Sequence, residues 1–107
     1  MNLLFVYLYR DAGNNKFWGE VIFSNKAKMS LDCVEAEIHK NLIDEHFFVA
    51  EKTAVPTLYP HDYDPALDHG WHEFSHVEET TGKLDAAPEQ DIQGFLNRLA
   101  LASVMKI

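Results

Sequence analysis

The chain has one cysteine, five glycines and four prolines in 107 residues, and nine Lys and Arg against seventeen Asp and Glu. A lone Cys33 excludes an internal disulfide, and without a C-x-x-C pair there is no thiolate metal or redox motif. The glycines nowhere cluster, so a G-x-G-x-x-G or Walker-type phosphate cradle is absent, and so is the G-x-S-x-G elbow of serine hydrolases. The few cations are scattered and the net charge is -8, which repels phosphate backbones and anionic lipid surfaces. Nucleic acid and membrane are therefore not expected partners. No apolar run approaches a membrane span. The longest candidate, Met1 to Tyr9, has no basic leader, stops at Arg10-Asp11 and is too short for a signal peptide, so a cytoplasmic location is expected.

What is present is apolar and aromatic. Hydrophobic residues make up 47%, with seven Phe, four Tyr and two Trp, which marks a globular chain long enough for one domain over residues 1–107. Residues 3 to 9 place Leu3, Phe5, Tyr7 and Tyr9 on one side and Leu4, Val6 and Leu8 on the other. Both faces are apolar, the mark of a central strand covered on both sides. The Gly- and Asn-containing stretch 10–16 predicts a turn, and 17–24 a second strand with Phe17, Gly19, Val21 and Phe23 facing away from Trp18, Glu20, Ile22 and Ser24.

Ser30 suits a helix cap, and Leu31, Val34, Ile38 and Leu42 recur at helical spacing behind it. Cys33, among these residues, reads as a small core side chain. A short third strand is expected at 46–50 and a long loop from Glu51 to Gly70. A fourth strand follows at 71–77. A last helix starts near Pro88, with Ile92, Phe95, Leu96, Leu99 and Ala102 or Ser103 facing the core. The order ββαββα predicts an α+β fold, a small antiparallel sheet of about four strands with two helices packed on it.

His72-Glu73-Phe74-Ser75-His76 spells H-E-x-x-H. On a helix, His72 and His76 would share a zinc ion and Glu73 would act as general base on the metal-bound water. The surroundings do not favour a helix. Gly70 precedes the motif, Thr80, Thr81 and Gly82 follow it, and the apolar positions span a strand's length. On a strand, Glu73 points away from both His, and no later His supplies a third ligand.

Tyr9-Arg10-Asp11-Ala12-x-Asn14-x-Lys16-x-x-Gly19-x-Val21-x-Phe23 resembles the opening of a family of small uncharacterised bacterial proteins, and the likeness returns at Trp71-His72-Glu73-Phe74, Val77-Glu78 and Thr80. The resemblance spans most of the chain. It implies a cytoplasmic bacterial protein and no particular activity, and in it the position of His76 is not bound to be His.

Three other groupings carry chemistry. Arg10, Asp11, Asn14, Asn15 and Lys16 crowd one loop, which reads as a turn held by its own side chains or as a recognition loop for a partner or small anion. Asp62-Tyr63-Asp64 with Asp68 resembles a calcium loop, but Ala66 and Leu67 stand where a ligand and a glycine are needed. His61, His69, His72 and His76 could gather a metal or respond to acid. The reading that follows is a non-enzymatic binding or regulatory module without a cofactor, acting through self-association as a homodimer or through a protein partner. Arg10, Asp11, Asn14, Lys16 and Trp71 are its candidate binding residues. The alternative is a zinc-dependent metallohydrolase using His72, His76 and Glu73. The expected contact surface is the face of Leu4, Val6, Leu8, Trp18 and Ile22 or the opposite one, unless the long loop folds across and closes it.

Overall fold

The computed structural model describes residues 1–60, 70–84 and 90–104. Strands β1 (Asn2–Arg10) and β2 (Lys16–Phe23) pair as the expected antiparallel hairpin, in register from Leu3 opposite Phe23 to Arg10 opposite Lys16. The connecting turn takes its left-handed residue at Asn14, φ 66°, rather than at Gly13. Asn tolerates that region because its short amide bonds locally.

Helix α1 (Leu31–Lys40) begins where Ser30 accepts the amide proton of Cys33. Val34 and Ile38 are fully buried and Leu42 nearly so, as the spacing predicts. Cys33 is a correction: it is exposed, because it lies off the Val34–Ile38 stripe. Strand β3 is only Phe47–Phe48, shorter than expected, because the chain turns at Val49 into a single helical turn, α2 (Ala50–Thr53). Strand β4 (His72–Thr80) runs past the expected end at 77, and α3 (Ile92–Val104) is the last described element. Pro88, His61, Asp62, Tyr63, Asp64, Asp68 and His69 lie outside the described residues.

The fold is α+β, with one four-stranded antiparallel sheet in the order β2-β1-β4-β3. It has one helical turn more than the sequence suggests, giving ββαβαβα. Strand β1 is central, as expected. Its odd-numbered side is the core: Leu3, Phe5, Tyr7 and Tyr9 are almost fully buried with Val34, Ile38, Ile92, Phe95 and Leu99 of the two long helices. Phe5 sits among the rings of Tyr7, Phe48, Phe74 and Phe95, 4.8–5.8 Å between centroids. Truncating such a side chain costs about 3–5 kcal/mol.

Helix α3 is tied to the sheet at its start. Asp91 bridges in parallel to Ser24, and its carboxylate accepts from Ser24 Oγ at 2.8 Å, Lys26 N–H at 3.0 Å and Gln93 N–H at 3.1 Å. Burial alone would raise the Asp91 pKa, but these hydrogen bonds and the Lys26 charge together hold it below the usual carboxylate value.

The described part of the long loop covers the sheet on the helix side. Val55 is buried, Leu58 packs against the core, Tyr7 donates its hydroxyl proton to the Pro56 carbonyl at 2.6 Å, and Tyr59 meets Tyr9 edge-on at 5.1 Å. The loop thus extends the cover on the core side, and on the other side Leu8 is buried while Leu4 and Val6 stay half-buried. The expectation that β1 is covered on both sides is corrected at Leu4 and Val6.

Candidate functional site

Strand β4 carries an irregularity that decides where the H-E-x-x-H side chains point. Val6 pairs with His76 and Tyr7 with Phe74, so Ser75 is an extra residue, a β-bulge. Before the bulge, His72 and Phe74 face the core and Glu73 faces away from it. After it, Val77 faces the core, and His76 and Glu78 face away. An uninterrupted strand would put His72 and His76 on one face; here they lie on opposite faces.

His72 is fully buried. Its Nε2 accepts the backbone N–H of Leu58 at 3.0 Å, and the rings of Tyr7, Tyr9, Phe48 and Tyr59 surround it at 5.2–6.0 Å. This His anchors the loop to the sheet. With Nε2 committed to an amide and His76 across the sheet, the helical zinc arrangement of His72, Glu73 and His76 is not formed. Among the described residues no group of three or more His, Cys, Asp or Glu converges.

Glu73 is instead held by Arg10. Arg10 Nε donates to Glu73 Oε2 at 2.8 Å and a terminal nitrogen reaches Oε1 at 3.4 Å. Its other terminal nitrogen donates to Asn14 Oδ1 at 2.6 Å. The Glu73 hydrogen bond, aided by the carboxylate charge, raises the Arg10 pKa. Asp11 accepts from the Asn15 side-chain amide at 3.1 Å and from its backbone N–H at 2.8 Å, which lowers the Asp11 pKa. The loop residues Arg10, Asp11 and Asn14 are thus joined by hydrogen bonds into a rigid turn, and Arg10 links the Y-R-D-A stretch to the W-H-E-F stretch.

These groups share one surface. Cross-strand register puts Arg10 beside Lys16, then a row of Trp18, Leu8, Glu73 and Phe47, then Glu20, Val6 and His76, then Ile22, Leu4 and Glu78. Trp71 lies against Phe47 at 5.4 Å. Trp18 is 57% exposed and Trp71 41%. Among the described residues, no helix packs on this side. The stretch around Gly82 touches it: Asn2 Nδ2 donates to the Gly82 carbonyl at 3.0 Å, and a Cβ at Gly82 would meet Ile22.

Five of the candidate residues, Arg10, Lys16, Trp71, Glu73 and His76, therefore border or line this face, and His72 does not. Phe47 is the member that sequence reasoning missed. Its two-residue strand is too short for alternation to assign a face. An open hollow of about 340 Å³ lined by Met1, Asn2, Ser24, Asn25, Lys26, Thr80 and Thr81 lies at the opposite end of the sheet from the hairpin turn and gathers no acid–base pair. No described helix is long and apolar enough to cross a membrane. Compared with family models, curated proteins and solved structures, the chain matches none.

Proposed function

We propose that this chain is a non-enzymatic binding module of the cytoplasm that docks a protein surface on the open face of its sheet. One observation carries the reading: both long helices and the loop through Tyr59 pack on one side of β1, while Trp18, Val6 and Leu4 remain accessible on the other. A sheet side with branched aliphatic residues on its interior strand β1, an exposed Trp on the neighbouring edge strand and charged groups interspersed has the mixed composition of a contact surface. The Arg10–Glu73–Asn14 links supply the rigidity such a surface needs, because they fix the hairpin turn against β4. The resemblance to the small bacterial family belongs to the same reading: two of its stretches meet at Arg10 and Glu73. The exposed thiol of Cys33 suits a reducing compartment.

The test is site-specific photo-cross-linking in cells that make the protein, with the reactive residue at position 18 on the open face or at position 32 on α1. The expected result is a covalent protein adduct from position 18 and none from position 32. No adduct at either position, or equal labelling at both, overturns the reading.

A further inference from the structure

We infer that the open face takes a second copy of this chain, the two sheets packing face to face about a two-fold axis with β1 over β1. The inference rests on the docking reading above and names the partner.

Charge is the first argument. The chain carries -8, but the open face holds Arg10 and Lys16 against Glu20, Glu73 and Glu78, a net of -1 with His76 neutral. The acidic surplus therefore lies elsewhere on the molecule. A basic partner would select a concentration of unpaired carboxylates, yet Glu73 is held by Arg10 at 2.8 Å and His76 stands 3.6 Å from Glu78. A copy of the same chain brings the same charges to the contact, and a nearly neutral face is what two identical surfaces tolerate.

The layout of the rows is the second argument. Half-buried Leu4 and Val6, with the already buried Leu8, run along β1, with Trp18, Glu20 and Ile22 in the column on one side and Glu73, His76 and Glu78 in the column on the other. Packed sheets keep their strands roughly aligned. With the two-fold axis along the strands, columns exchange sides and His76 of each copy comes over Glu20 of the other. With the axis across the strands, between the Leu8 and Val6 rows, columns are kept and His76 comes over Glu73 of the other. In both arrangements the apolar stripe meets itself and each imidazole meets a carboxylate. The face is self-complementary whichever way the strands run.

Size sets the strength. Three strands of about seven residues and the two-residue β3, at about 4.8 Å spacing and about 3.3 Å rise, give a footprint of roughly 350 Å² per copy. Standard interfaces bury about 800 Å² per partner, so the dimer is a weak one, with a Kd on the order of 10–500 μM.

Sedimentation velocity on the purified, untagged chain from about 5 μM to 1 mM tests this. The expected result is a mass rising from one chain toward two, lost in Trp18→Glu. Two symmetric contacts should make His76→Lys tighten and His76→Glu weaken the dimer by about three- to tenfold each. Both positions are solvent-exposed, and far-UV circular dichroism confirms that each variant is folded. A dimer indifferent to all three substitutions forms on another surface and overturns the inference. A monomer at 1 mM also overturns it. A cross-link from position 18 to a different protein would then keep the docking reading, and no cross-link would end both.

Discussion

Tyr7 holds a phenol in the core, 1% exposed, where its hydroxyl donates to the Pro56 carbonyl. Burial pushes its pKa up to about 12, against about 10 in an unfolded chain. A group that keeps its proton more firmly when folded adds stability that is complete below about pH 10 and is lost as pH climbs toward about 12. Two units correspond to about 2–3 kcal/mol across that window. Tyr7→Phe should cost about 1 kcal/mol at neutral pH through the lost hydrogen bond, and should flatten the alkaline decline between pH 10 and 12 relative to the parent chain. Urea unfolding at a series of pH values reads both effects; parallel alkaline slopes would show that the Tyr7 proton is not what the fold retains. His72 makes the same point without titration: a polar ring sits in the core with a backbone amide, Leu58 N–H, donating to it.

At the level of elements, Gly19 decides how closely the loop after α2 approaches the sheet. A Cβ there would lie 2.7 Å from Leu58 Cδ2 and 3.2 Å from Tyr7 Cζ. Leu58 ends in flexible methyls, but Tyr7 is packed, so Gly19→Ala should destabilise the chain by about 1–3 kcal/mol. Adding Leu58→Ala to Gly19→Ala should recover part of that loss, measured as the coupling in a double-mutant cycle. Simple additivity would place the strain elsewhere. The elements with a strong repeat were legible in the sequence. Strand β1 is apolar on both faces over residues 3 to 9, Ser30 caps α1, and Ile92, Phe95, Leu96 and Leu99 hold one helical face. The rest depended on contacts distant in the chain. Residues 46–50 are apolar enough for a longer strand, yet the chain leaves the sheet after two pairs and coils into α2. Cys33 is next to buried Val34 and still faces solvent, because proximity in sequence is not a shared helical face. The bulge at Ser75 has no sequence signal, so the side taken by His76 could not be read beforehand.

For the whole molecule, one side of the sheet carries both long helices and the core, and the proposed contact surface is the other. That division predicts how substitutions sort. Trp18→Ser, on an edge strand and 57% exposed, should change the unfolding free energy at low micromolar concentration by no more than about 0.5 kcal/mol, whereas Phe95→Ala, fully buried, should cost about 3–5 kcal/mol. Equal losses in urea titrations would mean that Trp18 is part of the core and that the open face is a structural surface. The candidate site was legible in its parts, since Arg10, Lys16, Trp18, Trp71 and Glu73 all stand out by type. Their assembly was not, because it takes the pairing of β1 with β4 to bring residues 63 positions apart into one hydrogen bond.

The extra residue at Ser75 inverts the phase of the second half of β4 relative to the first. Even-numbered side chains point inward up to Phe74, and the odd-numbered Val77 does so beyond it. A spacing of four, which returns a side chain to its own side in any regular strand, here crosses the inversion. The same two imidazoles that a regular strand would align are therefore given to two separate environments, one sealed among rings and one open to water. The parity of a single insertion, and not the identity of any residue in the motif, determines which of them a ligand could reach.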